Sequence, residues 1–142
     1  MTQRLLQIVD SLHCVEPSTF MATVSRALVA QGDEVDVFCL AGDGPLGRDL
    51  RVAGVRVLTC DSPGRHLGQW SWRLRRILTE LRPDIVHAWT DQAIRVAQLA
   101  ALRGEGTRLI ASYRSIPRRP SWLAESVDRL LGGRVGACTV NS

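Results

Sequence analysis

Six short runs rich in Val, Ile and Leu recur along the 142 residues, and stretches of helical period separate them. The runs are Leu5 to Val9, Val35 to Leu40, Val55 to Cys60, Ile85 to Trp89, Arg108 to Ser112 and Val135 to Val140. They lack strict alternation of apolar and polar residues, as expected of strands covered on both faces. Parallel neighbours in a sheet need a crossover of a dozen or more residues, which a helix supplies. The rhythm therefore predicts an α/β fold: a doubly wound, parallel, Rossmann-like sheet of about six strands with helices on both faces.

The helices announce themselves by their stripes. Phe20, Val24, Ala27 and Leu28 form one, ended by Gly32; Leu46, Leu50 and Ala53 form a second, ended by Gly54. Trp70, Leu74, Ile77, Leu78 and Leu81 form a third, stopped by Pro83. An alanine-rich fourth runs from about Asp91 to Arg103, and a fifth from about Trp122 to Leu131. Ligands of such sheets bind beyond the carboxyl ends of the strands. The loops of interest thus begin at Asp10, Ala41, Asp61, Thr90, Tyr113 and Asn141. A sixth strand running into the last residue leaves no helix to cover it, so residues 1–142 are expected to be one domain of a longer protein.

Composition narrows the partners. Hydrophobic residues at 45% and charged residues at 23% are those of an ordinary globular domain, which argues against disorder or a fibrous repeat. The longest apolar runs fall well short of the ~18 residues that cross a bilayer, and Met1-Thr2-Gln3-Arg4 leads into a strand rather than a signal peptide. The expected location is cytoplasmic. Cys14, Cys39, Cys60 and Cys138 are far apart, without zinc-ligand spacing, and read as free thiols; no metal is expected. All 18 basic residues are arginine and the net charge is +4, which favours anionic partners. The arginines are dispersed and accompany no nucleic-acid-binding motif, so nucleic acid is not expected among those partners.

Between the second strand and the second helix, Gly42, Gly44 and Gly47 spell G-x-G-x-x-G, with Asp61 some way beyond. A dinucleotide-binding turn follows the first strand, where the strand order reverses and a pyrophosphate meets a helix amino terminus. Here the first turn, SLHCVEPST, has no glycine. The glycines after the second strand are read instead as a tight turn, with Pro45 opening a helix. A dinucleotide-dependent enzyme remains the weakest of three functional alternatives.

Taken in order, IVDSL, RALVAQGDEVDVFCLAGDGPLGRDLRVAGVRVL, LRPDIVHAW and LIASYRSIPRRP resemble the amino-terminal half of a GT-B glycosyltransferase. More narrowly, the chain is similar to the family-four group of retaining, nucleotide-sugar-dependent enzymes. The resemblance implies two Rossmann-like domains facing a cleft. This one would hold the acceptor, a glycan or lipid-linked hydroxyl, and a carboxyl-terminal domain would hold the nucleotide-sugar and supply an E-x7-E pair. No cofactor is implied beyond that donor substrate. Alone, this half is expected to be inactive. Two departures stand out: His13-Cys14-Val15-Glu16-Pro17 replaces the family's Gly-Gly pair, and Arg114 stands where many relatives have histidine. A non-catalytic binding module that kept the fold is the main alternative.

Candidate site residues follow. The resemblance puts His87 against the cleft, where an imidazole would orient an acceptor hydroxyl; it is the catalytic candidate. Asp10, His13, Trp89 and Asp91 are expected to bind the acceptor, Trp89 as a plate for a sugar ring. Arg114, Arg118 and Arg119, stiffened by Pro117 and Pro120, are expected to contact phosphate or another anion. Trp72 falls opposite the apolar stripe of its helix, beside Arg75 and Arg76, the pattern of a contact with anionic lipid. That would place the protein peripherally on the inner face of the membrane.

Overall fold

The computed structural model describes residues 1–60, 66–100, 107–113 and 137–140. Six strands form one sheet: β1 (Arg4–Val9), β2 (Glu34–Cys39), β3 (Arg56–Thr59), β4 (Ile85–Ala88), β5 (Arg108–Tyr113) and β6 (Ala137–Val140). Four helices alternate with them, α1 (Ser18–Ala30), α2 (Pro45–Val52), α3 (Leu67–Leu81) and α4 (Asp91–Ala100). The sheet order is β3-β2-β1-β4-β5-β6 with every pairing parallel. The fifth predicted helix lies outside the described residues.

The period of two along each strand divides the core in two. Leu6 and Ile8 of β1, Val86 and Ala88 of β4, and Leu109 and Ala111 of β5 turn toward α3 and α4, meeting Trp70, Leu74, Ile77 and Ile94. Leu5 and Val9 of β1 turn the other way with Val35, Val37 and Cys39 of β2, against Met21 and Ala22 of α1 and Leu46 and Leu50 of α2. Both faces of the sheet are thus covered at β1, β2 and β4, as the unalternating strand sequences required.

Helix ends follow local chemistry. Gly32 and Gly54 take positive φ angles, where the missing Cβ removes the penalty, and turn the chain into β2 and β3. Pro45 opens α2. Pro83 was the predicted stop of α3, but the left-handed residue there is Arg82, with its N–H on the carbonyl of Leu78.

One predicted stripe needs correction. On α1 the buried residues are Ser18, Met21, Ala22 and Ser25, while Phe20 and Ala27 are exposed. Val24 and Leu28 of the predicted stripe pack at the edge of the core, so the helix is turned only part of the way from the orientation its largest apolar residues suggested. Ser18 is drawn inward because its hydroxyl donates to the Ser11 carbonyl at 2.6 Å, and Ser25 because its hydroxyl meets Met21 Sδ at 3.4 Å. Satisfied hydroxyls bury cheaply, so small polar residues can sit closest to the sheet.

Candidate acceptor cleft

The strand order reverses between β1 and β4: β2 and β3 lie to one side, β5 and β6 to the other. Helices on opposite faces leave a crevice at that point, outside the carboxyl ends of the two strands. Asp10 follows β1 and Thr90 follows β4, and the Thr90 hydroxyl donates to Asp10 Oδ1 at 2.5 Å. The same Thr90 oxygen accepts the Ala93 N–H at 3.1 Å, so Thr90 caps α4 while it holds the aspartate. Asp10 is mostly withdrawn from water. Burial pushes its carboxyl above the ordinary 3.8; the Thr90 bond works against that rise and the charge of Asp91 adds to it.

A cleft of about 520 Å³ opens beside this pair. Asp10, Thr90, Asp91, Gln92 and Arg95 line it, with Glu16 and Pro17 of the first loop and Trp89 completing the wall. The lining is rich in carboxylate, hydroxyl and amide groups, which can hold the hydroxyls of a sugar or polyol.

Behind the wall lies a buried polar chain. Trp89 is only 4% exposed; its Nε1 donates to Gln7 Oε1 at 2.6 Å. His87 stacks on it at a centroid distance of 4.0 Å and 26° between planes, and Phe20 meets it edge-on at 5.7 Å. His87 Nε2 lies 2.7 Å from Ser112 Oγ. Gln7, His87 and Ile110 are register partners across β1, β4 and β5, so His87 sits on the face of the sheet, not at its rim. Burial pushes its imidazole from 6.5 down to about 4, leaving it neutral at physiological pH.

The structure therefore brings Asp10, Trp89 and Asp91 together in the cleft. His87 is not part of that wall; it touches the cleft through Trp89. Trp89 gives one ring face to His87, so the plate expected for a sugar ring is occupied there by protein. His13 is exposed and also outside the cleft lining. Arg114, Arg118 and Arg119 lie outside the described residues. On α3, Trp72 is 58% exposed with the Arg76 guanidinium 5.2 Å from its ring centroid. Trp72, Arg75, Arg76, Thr79 and Glu80 line a separate groove of about 260 Å³. Arg75 is tied back by a 3.4 Å bond from Nη2 to the Leu99 carbonyl of α4. Among the described residues no helix is long and apolar enough to cross a membrane.

Thr90, Gln92, Arg95 and Gln7 were not singled out from the sequence. Gln7 carried a signal, a lone amide within the apolar run RLLQIV. Arg95 carried another, being one helical turn past Asp91.

The glycine-rich turn packs against protein. A Cβ on Gly44 would sit 2.6 Å from the Leu12 carbonyl oxygen, a backbone atom that cannot swing away. Leu12 also accepts the Leu46 N–H at 3.0 Å, so the start of α2 is engaged by the loop after β1. A Cβ on Gly47 would collide with the Asp43 carboxylate. That carboxylate accepts the Gly44 N–H at 2.8 Å and pairs with Arg51 at 2.7 Å. The spacing of these glycines thus serves loop packing, as the reading of a tight turn expected.

Comparison with known proteins supplies context. Residues 17–142 match the model of Glycosyltransferase Family 4. No curated protein matches the chain by sequence. Among solved structures, a glycosyltransferase from Rickettsia africae superposes with TM-score 0.66 at 14% identity, covering 92% of this chain and 34% of that one. HepE of Anabaena, solved with UDP and glucose, gives 0.68 at 16%, covering 96% and 37%. A putative UDP-N-acetylglucosamine 2-epimerase from Listeria monocytogenes gives 0.69 at 15%, covering 97% and 38%. These likenesses establish a shared fold, and the chain spans a little over a third of the length of such proteins.

Proposed function

This chain belongs to Glycosyltransferase Family 4, and from that premise we propose that it is the acceptor-side domain of a retaining, nucleotide-sugar-dependent glycosyltransferase. The observation that carries the reading is the polar cleft at the reversal of strand order, built on the bond between Asp10 and Thr90. In the reaction the bond from the sugar's anomeric carbon to the donor phosphate oxygen breaks and a new one forms to an acceptor hydroxyl, whose proton passes to the departing diphosphate. Asp10 and Asp91 hold that acceptor by its hydroxyls. A second lobe holds most of the donor and closes over the cleft, excluding water as the diphosphate departs.

His87 acts at one remove. Its neutral ring backs Trp89, Trp89 is fixed from the other side by Gln7, and the pair sets the cleft wall. His87 is a positioning residue in this reading. Arg114 would add positive charge near the donor phosphates. That HepE was solved with UDP and glucose supports a nucleotide-sugar donor for a chain of this fold.

The test uses the longer enzyme with its donor lobe. Asp10→Asn is expected to lower kcat/KM for the acceptor about 10²-fold, as misplacement of a reactant by an ångström does, while nucleotide-sugar affinity changes less than twofold. Acceptor kinetics unchanged by Asp10→Asn would remove this cleft from the reaction.

A further inference from the structure

The cleft contains a cation that the holding of a neutral sugar leaves unused. Arg95 lines the cleft one turn beyond Asp91 on α4, and its Nε is closed off from solvent without a hydrogen-bond partner. Three other arginines find carboxylates: Arg4 with Glu34, Arg51 with Asp43 and Arg56 with Asp36. Arg95 stands at the i,i+4 spacing from Asp91 at which such pairs form on helices, yet no such ion pair is made. A guanidinium N–H withdrawn from water and left without an acceptor is costly, and a forked anionic oxygen group, which can take this N–H together with a terminal one, is the partner whose geometry fits it.

The opposing groups restrict what can bring that anion. Asp10 and Asp91 also line the cleft, so a bare anion meets repulsion there. A ligand that offers hydroxyl donors to the carboxylates and an anionic group to Arg95 satisfies both. We infer that the cleft takes a polyhydroxylated ligand bearing a phosphate or carboxylate, with Arg95 on the anion and Asp10 and Asp91 on the hydroxyls. The inference rests on the reading of this cleft as the acceptor site and names the acceptor's chemical class.

Calorimetric titration of the full chain with glucose, glucose 6-phosphate, glucuronate and inorganic phosphate tests it. At least one anionic sugar is expected to bind about tenfold tighter than glucose, and inorganic phosphate more weakly than that sugar. A gain confined to glucose 6-phosphate identifies phosphate as the group; one confined to glucuronate identifies carboxylate. Arg95→Gln is expected to bring the ratio to glucose close to one, and Arg95→Lys, which keeps charge but loses the fork, to retain part of it. Should Arg95→Gln fail to fold, the Arg95→Lys ratio decides. Equal affinity for charged and neutral sugars, a ratio undiminished in either variant, or no saturable binding of any sugar overturns the inference. Glucose binding that is abolished by Asp10→Asn but blind to Arg95 would sink it while leaving the acceptor site standing.

Discussion

The two faces of the sheet are built from alternate residues of the same strands and differ in kind. Toward α3 and α4 every strand position in the core is apolar: Leu6, Ile8, Val86, Ala88, Leu109 and Ala111. Toward α1 the same three strands present Gln7, His87 and Ser112, and the residue after β4, Trp89, joins them into one hydrogen-bonded and stacked chain. One face buys stability by burial. The other accepts polar groups in its interior, which are tolerable only while partnered, and in return fixes the residues behind the cleft.

Three changes sharpen or break that contrast. The largest effect is expected on the apolar face. Leu74 is fully buried between α3 and the sheet, and Leu74→Ala should cost about 2–5 kcal/mol in denaturant unfolding. A cost below that of the polar-face change would dissolve the distinction. On the polar face, Gln7→Leu strips the acceptor from Trp89 Nε1 and should cost about 1–3 kcal/mol, less whatever is regained by losing the unpartnered Gln7 Nε2. In a Trp89→Phe background, which has no indole N–H to orphan, the same change should cost clearly less; an additive cycle would show that the bond contributes nothing.

The gentlest effect, read per pH unit, is a pH dependence belonging to the polar face. His87 is held neutral, its folded value of about 4 lying below the ordinary 6.5. Between those values the unfolded chain binds the extra proton and the folded one does not, so stability falls as the pH drops through that window. The slope is at most ~1.4 kcal/mol per pH unit for one group. His87→Gln should flatten that part of the profile relative to wild type. An unchanged profile would mean that His87 is accessible and titrates normally.

Much of this was legible in the residues. The six strands fall within two residues of the runs that announced them, because fully covered parallel strands are written as continuous Val, Ile and Leu. The third stripe, Trp70 to Leu81, was right in facing the core and in leaving Trp72 outside. The first stripe was right for Val24 and Leu28, which pack at the edge of the core, and wrong for Phe20 and Ala27, because size and hydrophobicity do not report a hydroxyl that finds a partner, as Ser18 does. Of the residues that line the cleft, Asp10 and Asp91 stood in loops the sequence pointed to, and Trp89 closed the fourth apolar run. Arg95 and Thr90 were not singled out, since their importance lies in what surrounds them: a missing ion pair in one case and a bond to a residue eighty positions away in the other.

The layered parallel sheet is written in the residues, because periodicity is a local property that each segment carries whatever its neighbours do. The sequence also pointed to the loops that follow the strands, two of whose residues, Asp10 and Asp91, line the cleft. The packed fold, in contrast, sets β1 and β4 side by side, and hence brings Asp10 to Thr90 and Gln7 to Trp89. It alone sets His87 behind the cleft and leaves Arg95 Nε there without a partner among the described residues. Strand order and contact across the sheet depend on how separate segments pack, and no single segment encodes that.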